Sequence, residues 1–278
     1  MQHINRWLTA LILIPILLWI LIKGSTLVLA ALICIVAIFA IREYLRIIFQ
    51  NDDTPISNTI TIITYTVSMA LIISGCLASW KIVFLILTLN LMALSVFVLS
   101  KFANNHDVFN IIAKQVLGVV YIPVSLSLLI FMKESNDQGS LWILWLLIVI
   151  FSNDTGAFYG GKFFGKHSLS PNISPNKTIE GSLGGIITST VLGFIFSVMF
   201  FKDFSLSFIM IPASLMLAVA GQIGDLFESA MKRASKIKDS GRILPGHGGM
   251  LDRIDGLLLA IPVLYVYLDF ILHVTSRL

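Results

Sequence analysis

Leu141-Trp-Ile-Leu-Trp-Leu-Leu-Ile-Val-Ile-Phe151 is an unbroken apolar run, and Ser152-Asn-Asp-Thr-Gly156 then interrupts it with polar and glycine residues. The run itself is eleven residues, and continued to residue 159 it reaches about 20, the length a helix needs to cross the hydrocarbon of a bilayer. Lipid offers the backbone no hydrogen-bond partner, so such a segment is read as helix. The polar break falls at one end of the span, not at its middle, so the chemistry is expected at a membrane surface. Asp154 in that break is either a helix-terminating cap or part of a polar site.

The same kind of segment recurs along the chain, whose 278 residues are 57% hydrophobic and 12% charged with a mean hydropathy of +0.92. Soluble domains carry about 25% charged residues, which excludes that class here. Nine spans are drawn, at about 7–22, 26–41, 59–79, 82–100, 111–132, 141–159, 181–201, 206–230 and 254–274. Segment 7–22 lacks a following small-residue cleavage site and is read as the first span, not as a signal peptide. Polar linkers at 51–55, 104–107 and 134–139 separate the runs, and no internal repeat is evident. The fold class expected is an all-α polytopic integral membrane protein of about nine transmembrane helices. It forms a single membrane domain over 1–278, with N-terminal helices in 1–107 and catalytic helices in 108–278.

Loop charges orient the spans. With the N-terminus inside, fourteen of the nineteen Lys and Arg residues fall on inside segments and five (Lys23, Lys81, Lys133, Lys202 and Arg277) outside. This asymmetry is the positive-inside pattern, which places the N-terminus in the cytoplasm and the C-terminus outside. The net charge of +4 and pI near 9.1 follow from topology and anionic headgroups and do not call for nucleic acid. Cys34 and Cys76 stand alone in apolar runs, without ligand or disulfide spacing, and are read as small buried hydrophobes.

The orientation puts two polar, glycine-rich loops, 152–181 and 221–255, in the cytoplasm, where nucleotides and free magnesium are found. In the second loop, Asp225 and Glu228 share a helix face, as do Asp252 and Asp255. Acids this close to hydrocarbon are costly unless paired, hydrated or ligating. Oxygen donors without His or Cys partners suit Mg²⁺ or another hard cation better than zinc. The plainer alternative is that Asp252 pairs with Arg253 or another loop cation.

Lys232, Arg233, Lys238 and Arg242 are interleaved with Asp239, Asp252 and Asp255, and Lys or Arg in such a setting clamps phosphates. Taken alone, they are also what any inside loop carries. Pro245-Gly-His-Gly-Gly249 allows positive φ and a close approach of main chain to ligand, or is a turn between helices. His247 either touches a phosphate or bonds within the loop. In the first loop, Gly160-Gly-Lys-Phe-Phe-Gly-Lys166 is no P-loop, because His167 follows where Ser or Thr is required. Ser174-Pro-Asn-Lys-Thr-Ile-Glu-Gly181 reads as a helix start capped by Thr178, with Lys177 a candidate phosphate ligand at that N-terminus.

Taken together, these residues resemble a known signature. Ser229, Lys232-Arg233, Lys238-Asp239, Gly241, Leu244-Pro245, His247-Gly-Gly249, Asp252-Arg253 and Asp255 are similar to the signature of the CDP-diacylglycerol synthase, or phosphatidate cytidylyltransferase, family. Asn153-Asp-Thr-Gly-Ala157, 174–181 and Gly224-Asp225 also match, so the specific resemblance covers 152–255. The resemblance implies an integral membrane nucleotidyltransferase that condenses CTP with phosphatidic acid to give CDP-diacylglycerol and pyrophosphate in phospholipid biosynthesis.

It further implies a homodimer and an active site facing the cytoplasm from the cell membrane. Mg²⁺ is the implied cofactor, with a second, monovalent cation as an open alternative. Carried onto this chain, Asp225 and Asp252 become the metal ligands, and Asp225, Asp252, Asp255, Lys232 and Arg233 the catalytic set. Asn153, Asp154, Lys177, Ser229, Lys238, Asp239, Arg242, His247 and Arg253 become the substrate-binding set. Two other classes are weighed beside it. A CTP-dependent lipid-alcohol kinase would release CDP in place of pyrophosphate. A secondary transporter would carry its acids at the bilayer midplane in two matching halves, which this chain lacks.

Overall fold

The structure is a computed structural model that describes residues 11, 15–50, 57–101, 108–134, 138–201, 204–241 and 248–275. Among the described residues helices dominate, and seven of them are long and apolar enough to cross a membrane. The chain divides into two compact units, one of 1–137 with 235–253 and the other of 138–234 with 254–278.

In the first unit, residues 15–23 are helical, followed by α1 (Thr26–Ile48), α2 (Asn58–Gly75), α3 (Trp80–Lys101), α4 (Val108–Val119) and α5 (Ser125–Glu134). Ser25 and Ser57 start α1 and α2 as N-caps, accepting from the amides of Val28 and Thr59. A π turn over Val120–Val124 joins α4 to α5 around Pro123, which brings no N–H to the helical ladder.

Buried polar groups in this unit answer one another. Asn90 of α3 and Gln115 of α4 exchange two amide hydrogen bonds of 3.2 and 3.0 Å. Thr64 and Ser68 turn their hydroxyls back onto carbonyls one turn earlier in α2. Tyr44 donates to the Lys114 carbonyl at 2.7 Å, and its ring lies so close to Gly118 that a Cβ there would stand 2.4 Å from Cε1. Lys133 Nζ closes the end of the first helical segment, donating to the carbonyls of Ile20, Leu21 and Gly24.

The second unit contains α6 (Gly139–Phe164), a two-stranded antiparallel hairpin of β1 (Ser168–Ser170) and β2 (Ser174–Thr178), α7 (Ile179–Phe200) and α8 (Phe204–Ala234). The last helix, α9 (Leu251–Thr275), belongs to this unit from residue 254 onward. Glycines set the crossing of α6 and α7. A Cβ on Gly156 would lie 2.5 Å from Thr188 Oγ1, and one on Gly185 would lie 2.7 Å from both the Asn153 carbonyl and its Oδ1. Small residues let two membrane helices approach to backbone contact. Trp145 Nε1 donates to the Gly193 carbonyl at 3.0 Å, satisfying both groups within the apolar layer.

Two sequence expectations change here. The stretch 152–181 is not a loop throughout, because α6 runs on to Phe164 and the hairpin occupies much of the remainder. Asp154 therefore lies inside a helix and does not terminate it. Likewise 221–234 is helix, so of the 221–255 loop only 235–250 lies between α8 and α9. Gly156, Gly160, Gly161, Gly181, Gly221 and Gly224, which suggested loop conformations, are helical residues facing a neighbouring helix. Eight of the nine drawn spans coincide with described helices, and most of 7–14 lies outside the described residues.

Candidate active site

Within the second unit, α6, the hairpin, α7 and α8 surround a cavity of about 510 Å³. Its polar lining includes Asn153, Asp154, Lys177, Ser182, Gln222 and Asp225. Local structure explains how these side chains reach it. Thr178 caps α7 by accepting from the Gly181 amide at 3.1 Å, as its sequence context predicts. Glu180 then accepts from the amides of Lys166 and His167 and meets His167 Nδ1 at 2.6 Å, drawing the hairpin onto the first turn of α7. Lys177, at the end of β2, is thereby set against α8, where its Nζ pairs with the Asp225 carboxylate.

Gln222, one turn before Asp225, fixes the amides. Its Nε2 donates to Asn153 Oδ1 at 2.9 Å and to the Ser182 carbonyl at 3.0 Å, while its Oε1 accepts from Ser182 Oγ. Asn153 is 1% exposed, and its Nδ2 has no hydrogen-bond partner among the described residues. Gln222 is a site residue the sequence reading did not single out. Its position in Gly221-Gln-Ile-Gly-Asp225, polar on an otherwise apolar span, was the available signal.

The acids of this unit converge. A Cβ on Gly224 would lie 2.5 Å from the Asp255 carbonyl, so only a glycine permits α8 to approach α9 there. That approach brings Asp225, Glu228 and Asp154 close enough for their charges to act on the Asp255 carboxyl. Glu228 is fully buried and meets Lys232 at 2.5 Å, one turn along the same helix. Ser229 is buried beside it on α8, and Arg233 Nε donates to the Ile173 carbonyl between the two strands.

The first unit holds the rest of the described signature. Asp252, in the first turn of α9, accepts from the Gly249 amide at 2.9 Å and the Ser240 amide at 3.1 Å. Arg253 is exposed. Lys238 and Asp239 line a second cavity, of about 550 Å³, with Arg46 and Gly241. Arg242 and His247 lie outside the described residues. Glu43, which the sequence reading passed over, is 3% exposed and accepts from Ser240 Oγ, the Met250 amide and the Leu251 amide.

Among the described residues, no three His, Cys, Asp or Glu side chains close on one point as a ready-made cation cage. The donor set still fits Mg²⁺. That ion keeps several waters and takes one or two carboxylates together with substrate phosphates. Carboxylates crowded at the end of membrane helices are also costly without a cation nearby.

The model of the cytidylyltransferase family matches residues 4–271. A phosphatidate cytidylyltransferase of Staphylococcus aureus (strain COL) is 36% identical over 267 residues, covering 95% of this chain and 98% of the relative. The phosphatidate cytidylyltransferase of Staphylococcus saprophyticus is 34% identical over 264 residues, with the same coverage of both chains. That of Bacillus subtilis (strain 168) is 43% identical over 152 residues, 55% of this chain and 56% of the relative. By a family match that spans nearly the whole chain, this protein belongs to the cytidylyltransferase family.

Proposed function

We propose that this chain is a phosphatidate cytidylyltransferase, joining CTP and phosphatidic acid into CDP-diacylglycerol with release of pyrophosphate. The observation that carries the reading is the cavity of the second unit, where Lys177 and Asp225 stand with buried amides at the polar end of membrane helices. Cation and carboxylate together suit two phosphate-bearing anions, one a triphosphate and one a monoester, better than a plain anion site would. An oxygen of the lipid phosphate attacks the α-phosphorus of CTP, and the bond from that phosphorus to the bridging oxygen of the β-phosphate breaks. The electron pair leaves with pyrophosphate. A phosphate monoester loses its second proton at about pH 6, so the nucleophile is already ionised and needs no general base.

The work of the protein is then neutralisation and alignment. Lys177 is placed to take a phosphate group, and Lys232, Arg233 and Lys238 are further proposed phosphate contacts. Asn153, held in one orientation by Gln222, is proposed to face the substrate side of the cavity. Asp225 and Asp252 are the proposed Mg²⁺ ligands, each described within its own unit, with Asp255 and Asp154 as supporting acids. When bound, Mg²⁺ would offset phosphate charge and polarise the phosphoryl oxygens.

The excess of Lys and Arg on one set of loops supports nine spans, a cytoplasmic N-terminus and a site facing the cytoplasm from the cell membrane. A homodimer is the proposed assembly. The test uses the full chain in detergent with phosphatidic acid, Mg²⁺ and CTP labelled in its cytidine. Label moving into the lipid phase with pyrophosphate release is the expected result. CDP in the water phase with a newly phosphorylated lipid, or no reaction by folded protein, would overturn the reading.

A further inference from the structure

Glu43 lies near the end of α1, yet three hydrogen bonds reach it across about two hundred residues of sequence, from Ser240, Met250 and Leu251. Its Oε2 accepts from Ser240 Oγ and from the Leu251 amide, both at 2.8 Å, and its Oε1 accepts from the Met250 amide at 3.0 Å. Asp252 is held by the same segment. Ser240 gives its hydroxyl to Glu43 and its amide to Asp252. The amides of residues 249, 250 and 251 are divided between the two acids, the first going to Asp252 and the next two to Glu43. Two carboxylates thus clamp both ends of the loop where it returns to α9.

The glycines of the loop follow from this clamp. A Cβ on Gly241 would lie 2.1 Å from Glu43 Oε1, and one on Gly249 would lie 2.4 Å from Oε2. Gly248 has φ +82°, a left-handed conformation, and its missing Cβ would lie 2.9 Å from Asp252 Oδ2. The main chain here closes on the protein's own carboxylates. A buried acid at the end of a membrane helix is costly, and the donors of Ser240, Met250 and Leu251 offset that cost only while these residues keep this placement.

We infer that Glu43 is a positioning residue for the transfer reaction: through Ser240 and the 249–251 amides it sets where Asp252 and its loop stand. The inference rests on the reaction proposed above. Glu43 touches no reacting atom in this role.

Glu43→Gln keeps the size of the side chain and replaces one acceptor oxygen with a donor that faces other donors. Displacing a catalytic group by about 1 Å costs about 100-fold in rate, and that loss is expected in kcat, with KM for CTP and for phosphatidic acid within about threefold of wild type. Ser240→Ala, which leaves Glu43 in place, serves should the first variant fold poorly, and about a tenfold loss in kcat is expected. Because both changes open one clamp, the double variant should lose little more than Glu43→Gln alone. Amide hydrogen exchange at Met250 and Leu251 should quicken in Glu43→Gln.

Folded variants with wild-type kcat would overturn the inference, as would losses that merely follow the unfolded fraction and multiply in the double variant. Both outcomes presuppose transfer by the wild-type chain in the same assay. Its absence there would remove the reaction reading, and this inference with it.

Discussion

Gln222 Nε2 donates to Asn153 Oδ1 at 2.9 Å, tying α8 to the polar turn of α6 inside the second unit. The same side chain holds Ser182 at both its carbonyl and its hydroxyl, so one amide fixes three helices. Gln222→Met preserves length and removes every one of these bonds. Orphaning buried polar partners costs about 1–3 kcal/mol, and a melting temperature lowered by several degrees is expected. If Asn153 faces substrate, KM for CTP should also rise, because its carboxamide is free to rotate. A variant that melts lower but keeps its KM would confine Gln222 to stability.

Asp225→Asn and Asp252→Asn should each reduce turnover by at least about 100-fold, the scale on which removing one electrostatic contributor acts in such sites. The structural consequences differ. Asp225→Asn weakens the pairing with Lys177 at a half-buried position and should leave the fold intact. Asp252→Asn puts an amide where the Ser240 and Gly249 N–H groups converge, so its melting curve must be measured beside its rate. Retained turnover in a folded Asp225→Asn or Asp252→Asn protein would remove that residue from the metal site.

Chelation tests the cation directly. EDTA should abolish label transfer, and Mg²⁺ should restore it. Zn²⁺ should fail to do so, since the acids gathered around Asp255 are oxygen donors with no Cys or His among them. Melting temperature should change little on chelation if the ion arrives with substrate phosphates. A large fall without substrate would instead mean a permanently held, structural ion.

What the sequence made legible were features decided by near neighbours. Apolar runs predicted the helices, Thr178 announced its cap, and three-residue spacing put Asp225 with Glu228 on one face of α8. Features decided by a distant partner were not legible. Gly156, Gly160 and Gly161 suggested a loop, since nothing nearby in sequence says that α7 will pack against them. Glu43 sits in an ordinary Arg-Glu-Tyr-Leu-Arg helix end, and its role depends on amides beyond residue 239. A polar residue in or beside an apolar run is the sequence clue both to Glu43 and to Gln222.

The α6–α7 crossing yields a prediction with its own rescue. In Gly156→Ala the new Cβ would stand 2.6 Å from the Thr188 Cβ and 2.9 Å from the Gly184 carbonyl, so turning the threonine side chain cannot relieve it. The helices must part, at a cost of about 1–3 kcal/mol for overpacking, and the Asn153 amide that α7 abuts at Gly185 must shift with them. Lower thermal stability and reduced transfer are therefore expected together. Thr188→Gly removes the nearer obstacle and leaves the carbonyl, so the double variant should recover part of both losses. Recovery of stability without activity would show that the crossing supports the fold but does not place Asn153. A Gly156→Ala protein as stable as wild type would mean that backbone contact between α6 and α7 is not required.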